Sequence, residues 1–208
     1  MIAVMNAASD PEPIRIPADA LVILVGASGS GKSTFVARWF PAEAILSSDR
    51  LRGQLTGNEA DQSANARTFR ILHAQLERRL EAGRLAVVDA TNVTAAARRP
   101  LLERAARFGR PLIVIVLDLP AAVCLARNAA RPGRSIPEDA IRRQLGALRA
   151  DRDQLGRALR PGDRLVVLGD SAAVAATSIQ TTPGEQATLS PTGRAPANPT
   201  GRSRSRET

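Results

Sequence analysis

Of the 29 lysine and arginine side chains in this chain, one is a lysine, Lys32, and it lies in the run Gly26-Ala27-Ser28-Gly29-Ser30-Gly31-Lys32-Ser33. That run satisfies the spacing G-x-x-x-x-G-K-[ST] in full. Its glycines let backbone N–H groups converge on an anion, and a helix opening at Lys32 aims its positive end at the same point. A compact ammonium fits inside such a loop, where a planar, forked guanidinium does not. The pattern points to a bound nucleoside triphosphate, with Gly26, Ala27, Ser28, Gly29, Ser30, Gly31 and Thr34 as the cradle. Lys32 is expected to bridge the β- and γ-phosphates, and the Ser33 hydroxyl to ligate Mg²⁺.

Other residues could complete a phosphoryl-transfer site. Asp49 and Arg52 follow a short apolar run as Ser47-Ser48-Asp49-Arg50-Leu51-Arg52. A carboxylate there reads either as a base accepting the proton of an attacking hydroxyl or as a helix N-cap. Arg52, three residues on, shares that face and suits an anionic acceptor. Asp89 and Asn92 end another apolar run. Asp89 suits a metal's water and Asn92 a substrate or Asp89 itself, although Asp and Asn also favour turns. Arg127, Arg131 and Arg134 fall at spacings of four and three, into a loop broken by Pro132-Gly133. They read as a mobile, Arg-bearing lid over phosphates, or as cations at the negative end of a helix. His73 and Cys124 read as packed side chains.

These residues need a frame. Short apolar runs at 20–25, 44–46, 85–88, 112–117 and 165–168 predict strands. Between them, 32–40, 67–81, 95–108, 121–130 and 137–159 predict helices; in the second, Phe69, Leu72, Leu76 and Leu80 recur at helical spacing. The alternation implies right-handed crossovers and an α/β, doubly wound, mainly parallel sheet with helices on both faces. Ligands in such sheets bind at the carboxyl ends of the strands, where the Gly-rich loop, Asp49 and Asp89 all lie. The expected organisation is a loosely ordered segment 1–19, one domain over 20–169 and a low-complexity, disordered tail over 170–208, with at most one short Ala-rich helix at its start.

Composition bounds the rest. A net charge of +9 suits an anionic partner such as nucleic acid, or else an Arg-rich surface without one. Aromatic residues are only 2%, so platforms for stacking bases are scarce. No apolar run approaches the roughly 20 residues of a membrane span, and 1–17 lacks a signal-peptide pattern. A lone Cys124 excludes an intramolecular disulfide and suits a reducing cytoplasm. One histidine leaves little scope for zinc or His-based chemistry.

The stretches LVGASGSGKST, ILSSDRLRG, ADQSANARTFRILH, VVDATNVTAAARRPLLERA and LDLPAAVCLARNAARPGR cover roughly residues 20 to 168. In this order and spacing they resemble the 5′-kinase module of the phage and bacterial end-healing polynucleotide kinases, P-loop kinases of the AAA type. The resemblance implies a P-loop NTPase fold and transfer of the ATP γ-phosphate to the 5′-hydroxyl of a DNA or RNA end. Lys32 and Ser33 match the phosphate and metal positions, and Asp49 the general base. Arg52 matches the arginine that engages the acceptor's phosphate beside the reacting hydroxyl, and Gln62 a polar position next to it. Arg131 and Arg134 match lid arginines that contact ATP, and Asp89 the strand-end acid. Where the family continues into phosphatase and ligase modules, this sequence reads as a low-complexity tail, and the expectation is a kinase working alone or with separate partners. Two other readings stay open: a kinase of a small alcohol (a sugar, nucleoside or antibiotic), and an ATPase or nucleotide sensor that transfers to water alone.

Overall fold

The computed structural model describes residues 2–5, 12–59, 61–131 and 136–184. The elements in chain order are β1 (Ile2–Met5), β2 (Ile14–Pro17), β3 (Leu21–Val25), α1 (Lys32–Trp39), β4 (Ile45–Ser47), α2 (Ser48–Thr56), α3 (Asn65–Glu81), β5 (Ala86–Asp89), α4 (Ala95–Arg107), β6 (Leu112–Leu117), α5 (Ala121–Ala129), α6 (Glu138–Leu155), β7 (Arg164–Leu168), α7 (Ser171–Ala176) and β8 (Ile179–Thr182). Six strands form one parallel sheet in the order β1-β7-β6-β3-β5-β4.

Every residue of β3 is buried, because both faces of the sheet are covered. Leu21, Ile23 and Val25 pack with Leu72, Leu76 and Leu80 of α3, Leu101 and Ala105 of α4, and Leu148 and Leu155 of α6. Val22 and Leu24 pack on the opposite face with Phe35 and Val36 of α1, Ile14 and Ile16 of β2, and Ala173 of α7. Each of the Val, Leu, Ile and Phe side chains among them stabilises the fold by about 1.5–3 kcal/mol relative to exposure. The two-sided burial explains why these strands read as continuous apolar runs rather than alternating ones. The doubly wound α/β expectation holds, with β3 and β6 at the centre of the sheet.

The frame is larger than the sequence predicts. Residues 1–19, expected to be loosely ordered, contain β1, which pairs with β7, and β2. Beyond residue 169, α7 is the short Ala-rich helix expected there, but β8 is unexpected, and it pairs in parallel with β2 as a separate two-stranded sheet. Neither β2 (Ile-Arg-Ile-Pro) nor β8 (Ile-Gln-Thr-Thr) carries an apolar run. Each exists through its long-range partner and through the burial of Ile14 and Ile16. Residues 185–208, the remainder of the expected tail, lie outside the described residues. Among the described residues, no helix is long and apolar enough to cross a membrane.

Candidate active site

The Gly-rich loop leaves the central strand β3 and enters α1, whose N-cap is Gly31. Gly31 has φ +94° and Gly29 φ +82°, a region that side chains disfavour. A Cβ on Gly29 would also lie 2.2 Å from the Cys124 carbonyl oxygen, so α5 packs directly on the loop. The Lys32 ammonium donates to the Gly26 carbonyl at 2.8 Å and the Ala27 carbonyl at 2.9 Å. The cation therefore sits inside its own loop, 8% exposed. Ser30 is wholly buried, and Ser33 and Thr34 open the first turn of α1.

Sheet register assembles the acidic side of the site. β4 lies beside β5 with Ser47 opposite Asp89, so the residues following β4 stand next to the end of β5. The Ser33 hydroxyl donates to Asp89 Oδ2 at 2.8 Å, joining the Gly-rich loop to β5. Burial pushes the Asp89 carboxyl up, against the lowering effect of Ser33 and Lys32. Ser33 and Asp89 offer hard oxygen donors at one point. Among the described residues, no group of three or more His, Cys, Asp and Glu could hold a metal ion. One hydroxyl and one carboxylate fit Mg²⁺, which keeps waters and takes phosphate oxygens for the rest of its shell.

Asp49 and Arg52 lie on α2. Ser47, not Asp49, caps this helix, accepting from the Arg50 N–H at 3.4 Å. Asp49 is thereby in the first turn, one turn before Arg52. Arg52 is 4% exposed. Its Nη1 donates to Asp49 Oδ1 at 2.7 Å and to the Glu59 carbonyl at 2.8 Å. Its Nε and Nη2 donate to Asn65 Oδ1 at 3.1 and 2.9 Å. Asn65 in turn donates to Gln62 Oε1 at 2.6 Å. The guanidinium is fixed on three sides, and Asn65, which sequence reasoning missed, does much of the fixing.

The facing side of the cleft is built from α5 and α6. Arg127 donates to the Ser30 carbonyl at 3.4 Å and to the Ser171 hydroxyl at 3.1 Å. Arg131 pairs with Glu59 at 3.5 Å, so the end of α5 meets the loop after α2. Asn128 of α5 joins the residue before Pro137, with both ends of its amide on the backbone of Ile136 at 2.9 and 3.1 Å. Arg134 lies outside the described residues. Gln144 of α6, also missed from sequence, accepts from the Ser28 N–H at 2.8 Å.

These groups line one cleft of roughly 1070 Å³ at the carboxyl ends of the strands. Lys32, Arg52, Arg127 and Arg131 face two carboxylates there, Asp49 and Asp89. The cleft is therefore suited to polyanions. Gln62 belongs to the lining; Asn92 does not. Asn92 is buried at φ +48° and donates to the Leu24 carbonyl at 2.8 Å, while its own carbonyl accepts from Arg98. Its amide is thus occupied in tying the turn after β5 to β3. His73 leans against Phe69, ring centroids 6.2 Å apart, and does not line the cleft, and Cys124 is buried in a small apolar cluster.

Solved structures share this fold. A chain of a Pnkp1/Rnl/Hen1 RNA repair complex superposes with a TM-score of 0.59 at 23% identity, over 71% of this chain and 49% of that one. An AvrRxo1-ORF1:-ORF2 structure with ATP gives 0.54 at 18% identity, over 66% of this chain and 49% of that one. A putative kinase from Chloroflexus aurantiacus gives 0.51 at 17% identity, over 73% and 88%. The chain thus spans about half the length of the repair-complex chain it matches. No curated protein sequence is significantly similar. Residues 21–155, from the start of β3 to the end of α6, match the AAA domain family. With its Gly-rich loop, its parallel sheet and that match, the chain belongs to the AAA domain family and has the fold of the P-loop kinases.

Proposed function

We propose that the protein is an ATP- and Mg²⁺-dependent phosphotransferase that moves the γ-phosphate of ATP to the 5′-hydroxyl of a polynucleotide end. The observation that carries this reading is the Asp49–Arg52 pair at the acceptor side of the cleft. A base for a hydroxyl needs only the carboxylate. The buried cation fixed at 2.7 Å from it suits an acceptor that brings its own phosphate beside the reacting hydroxyl. A terminal nucleotide has that chemistry, and a plain sugar does not. The repair-complex chain of similar fold is in keeping with the reading.

In the proposed mechanism, Lys32 and the loop N–H groups hold the triphosphate and withdraw charge from the transferring group. Ser33 and Asp89 would hold Mg²⁺, which supplies charge neutralisation between the phosphates when bound. Asp49 orients the acceptor hydroxyl and takes its proton as the hydroxyl oxygen bonds to the γ-phosphorus and the bond from that phosphorus to the β,γ-bridging oxygen breaks, ADP leaving with the electron pair. Arg52 holds the acceptor's phosphate, which fixes the hydroxyl for in-line attack. Arg127 and Arg131 neutralise charge on the donor, a role that the sequence resemblance extends to Arg134.

The test compares a nucleoside 3′-monophosphate with the same nucleoside, both with free 5′-hydroxyls, under γ-labelled ATP. The proposal predicts kcat/KM at least about tenfold higher for the phosphate-bearing acceptor, the scale of one charge-assisted contact. Equal rates, or faster labelling of a sugar, would replace it with a small-alcohol kinase. ATP turnover indifferent to every acceptor would leave an ATPase.

A further inference from the structure

Gln144 joins two parts of the molecule that are 116 residues apart in sequence, through its contact with Ser28 at 2.8 Å. The Ser28 N–H can only donate, so the Gln144 atom facing it is the carbonyl oxygen Oε1. The orientation of the amide follows, and Nε2 with its two N–H donors is the other end. Gln144, Ser28 and Lys32 all line the cleft. Among the described residues, Nε2 has no hydrogen-bond partner.

The side chain stands on a rigid support. Ile141, Leu145 and Leu148 bury one face of α6. Asp151 pairs with Arg98, and Arg152 with Asp118 at 3.0 Å, pinning the later turns to α4 and to the end of β6. An amide held this firmly over a phosphate loop is preorganised for an anion.

The loop itself says which phosphate. Lys32 reaches back to the carbonyls of Gly26 and Ala27, at the start of the loop. The lysine of such loops serves the β- and γ-phosphates, so its ammonium marks the γ end of the site. Ser28 follows Ala27 directly, so Gln144 approaches the γ end. Its oxygen also occupies the Ser28 N–H, which removes that donor from the cradle.

We propose that Gln144 is a nucleotide-contacting residue that reads the terminal phosphate: Oε1 locks the Ser28 peptide, and Nε2 donates to a γ-phosphate oxygen. The proposal rests on the nucleotide-binding part of the function above and not on the acceptor.

The test is direct binding of ATP and ADP, by calorimetry, to the full chain and to two variants. Gln144→Glu keeps an oxygen for Ser28 but sets a carboxylate where the amide donors stood. Gln144→Met keeps the length and loses both functions. ATP affinity is expected to fall about tenfold or more in Gln144→Glu, with a smaller fall in Gln144→Met and little change for ADP in either. Equal losses for ATP and ADP, or unchanged ATP affinity in Gln144→Glu, would overturn it. Because no acceptor is present, a wild type that binds ATP normally but labels no oligonucleotide would sink the acceptor assignment and leave the Gln144 result standing.

Discussion

Asn65→Ala isolates what holds the Arg52 guanidinium. Asn65 Oδ1 accepts from Nε at 3.1 Å and from Nη2 at 2.9 Å, whereas Asp49 and the Glu59 carbonyl share Nη1. The substitution removes both contacts on one side and leaves the cation tethered at a single nitrogen. A hydrogen bond to a charged group contributes about 1.5–3 kcal/mol, but Asn65 is half-buried and water replaces part of the loss. A net loss of about 2 kcal/mol corresponds to roughly 30-fold in kcat/KM. The loss should fall on the acceptor, because Asn65 makes no hydrogen bond to the Gly-rich loop. The assay is initial rate against oligonucleotide concentration at saturating ATP, then the reverse titration. Asn65→Asp, which keeps the accepting oxygen, should recover most of the rate. An acceptor kcat/KM within about threefold of wild type, less than one such contact supplies, would refute the reasoning, as would an equal rise in the KM for ATP.

Three further outcomes follow from the same geometry. Arg98→Ala removes a buried cation, strands the partly buried Asp151 carboxylate and frees the Asn92 carbonyl. It should cost about 3–5 kcal/mol in denaturant unfolding, and Arg98→Met with Asp151→Leu should recover most of that. Gly29→Ala meets both a positive φ and the Cys124 carbonyl. The backbone alone costs about 1–3 kcal/mol, and calorimetry should find ATP binding lost. His73 has its pKa lowered, first by burial and then by Arg104. The folded state therefore favours the neutral ring, and the unfolded chain takes the proton first as pH falls. Stability is complete above the unfolded value and declines below it, so the denaturation midpoint of wild type should drop more than that of His73→Gln between about pH 7.5 and pH 5.

What the sequence disclosed follows the range of each interaction. The Gly-rich loop was legible because strand, loop and helix are contiguous, and Asp49 with Arg52 because one helical turn separates them. Asn65 was not: its bond to Arg52 depends on how α2 packs on α3. Gln144 carries no local signal at all, since its partner is in another part of the chain. The strands β2 and β8 escaped notice for the same reason, each too short and polar to be read without the other. Asn92 looked like a site residue because Asn at a strand end fits both binding and turn chemistry, and only the fold shows its amide bonded to Leu24.

The central claim is that Asp49 activates a 5′-hydroxyl for attack on ATP. The measurement is transfer of label from γ-labelled ATP to 5′-hydroxyl DNA and RNA oligonucleotides by wild type and by Asp49→Asn, with ATP affinity measured alongside. The account predicts labelled oligonucleotide for wild type, a loss of at least about a hundredfold in the variant, within the range of general-base catalysis, and ATP binding retained. Labelling that survives Asp49→Asn, or no labelling of any oligonucleotide by a wild type that binds ATP, would contradict it.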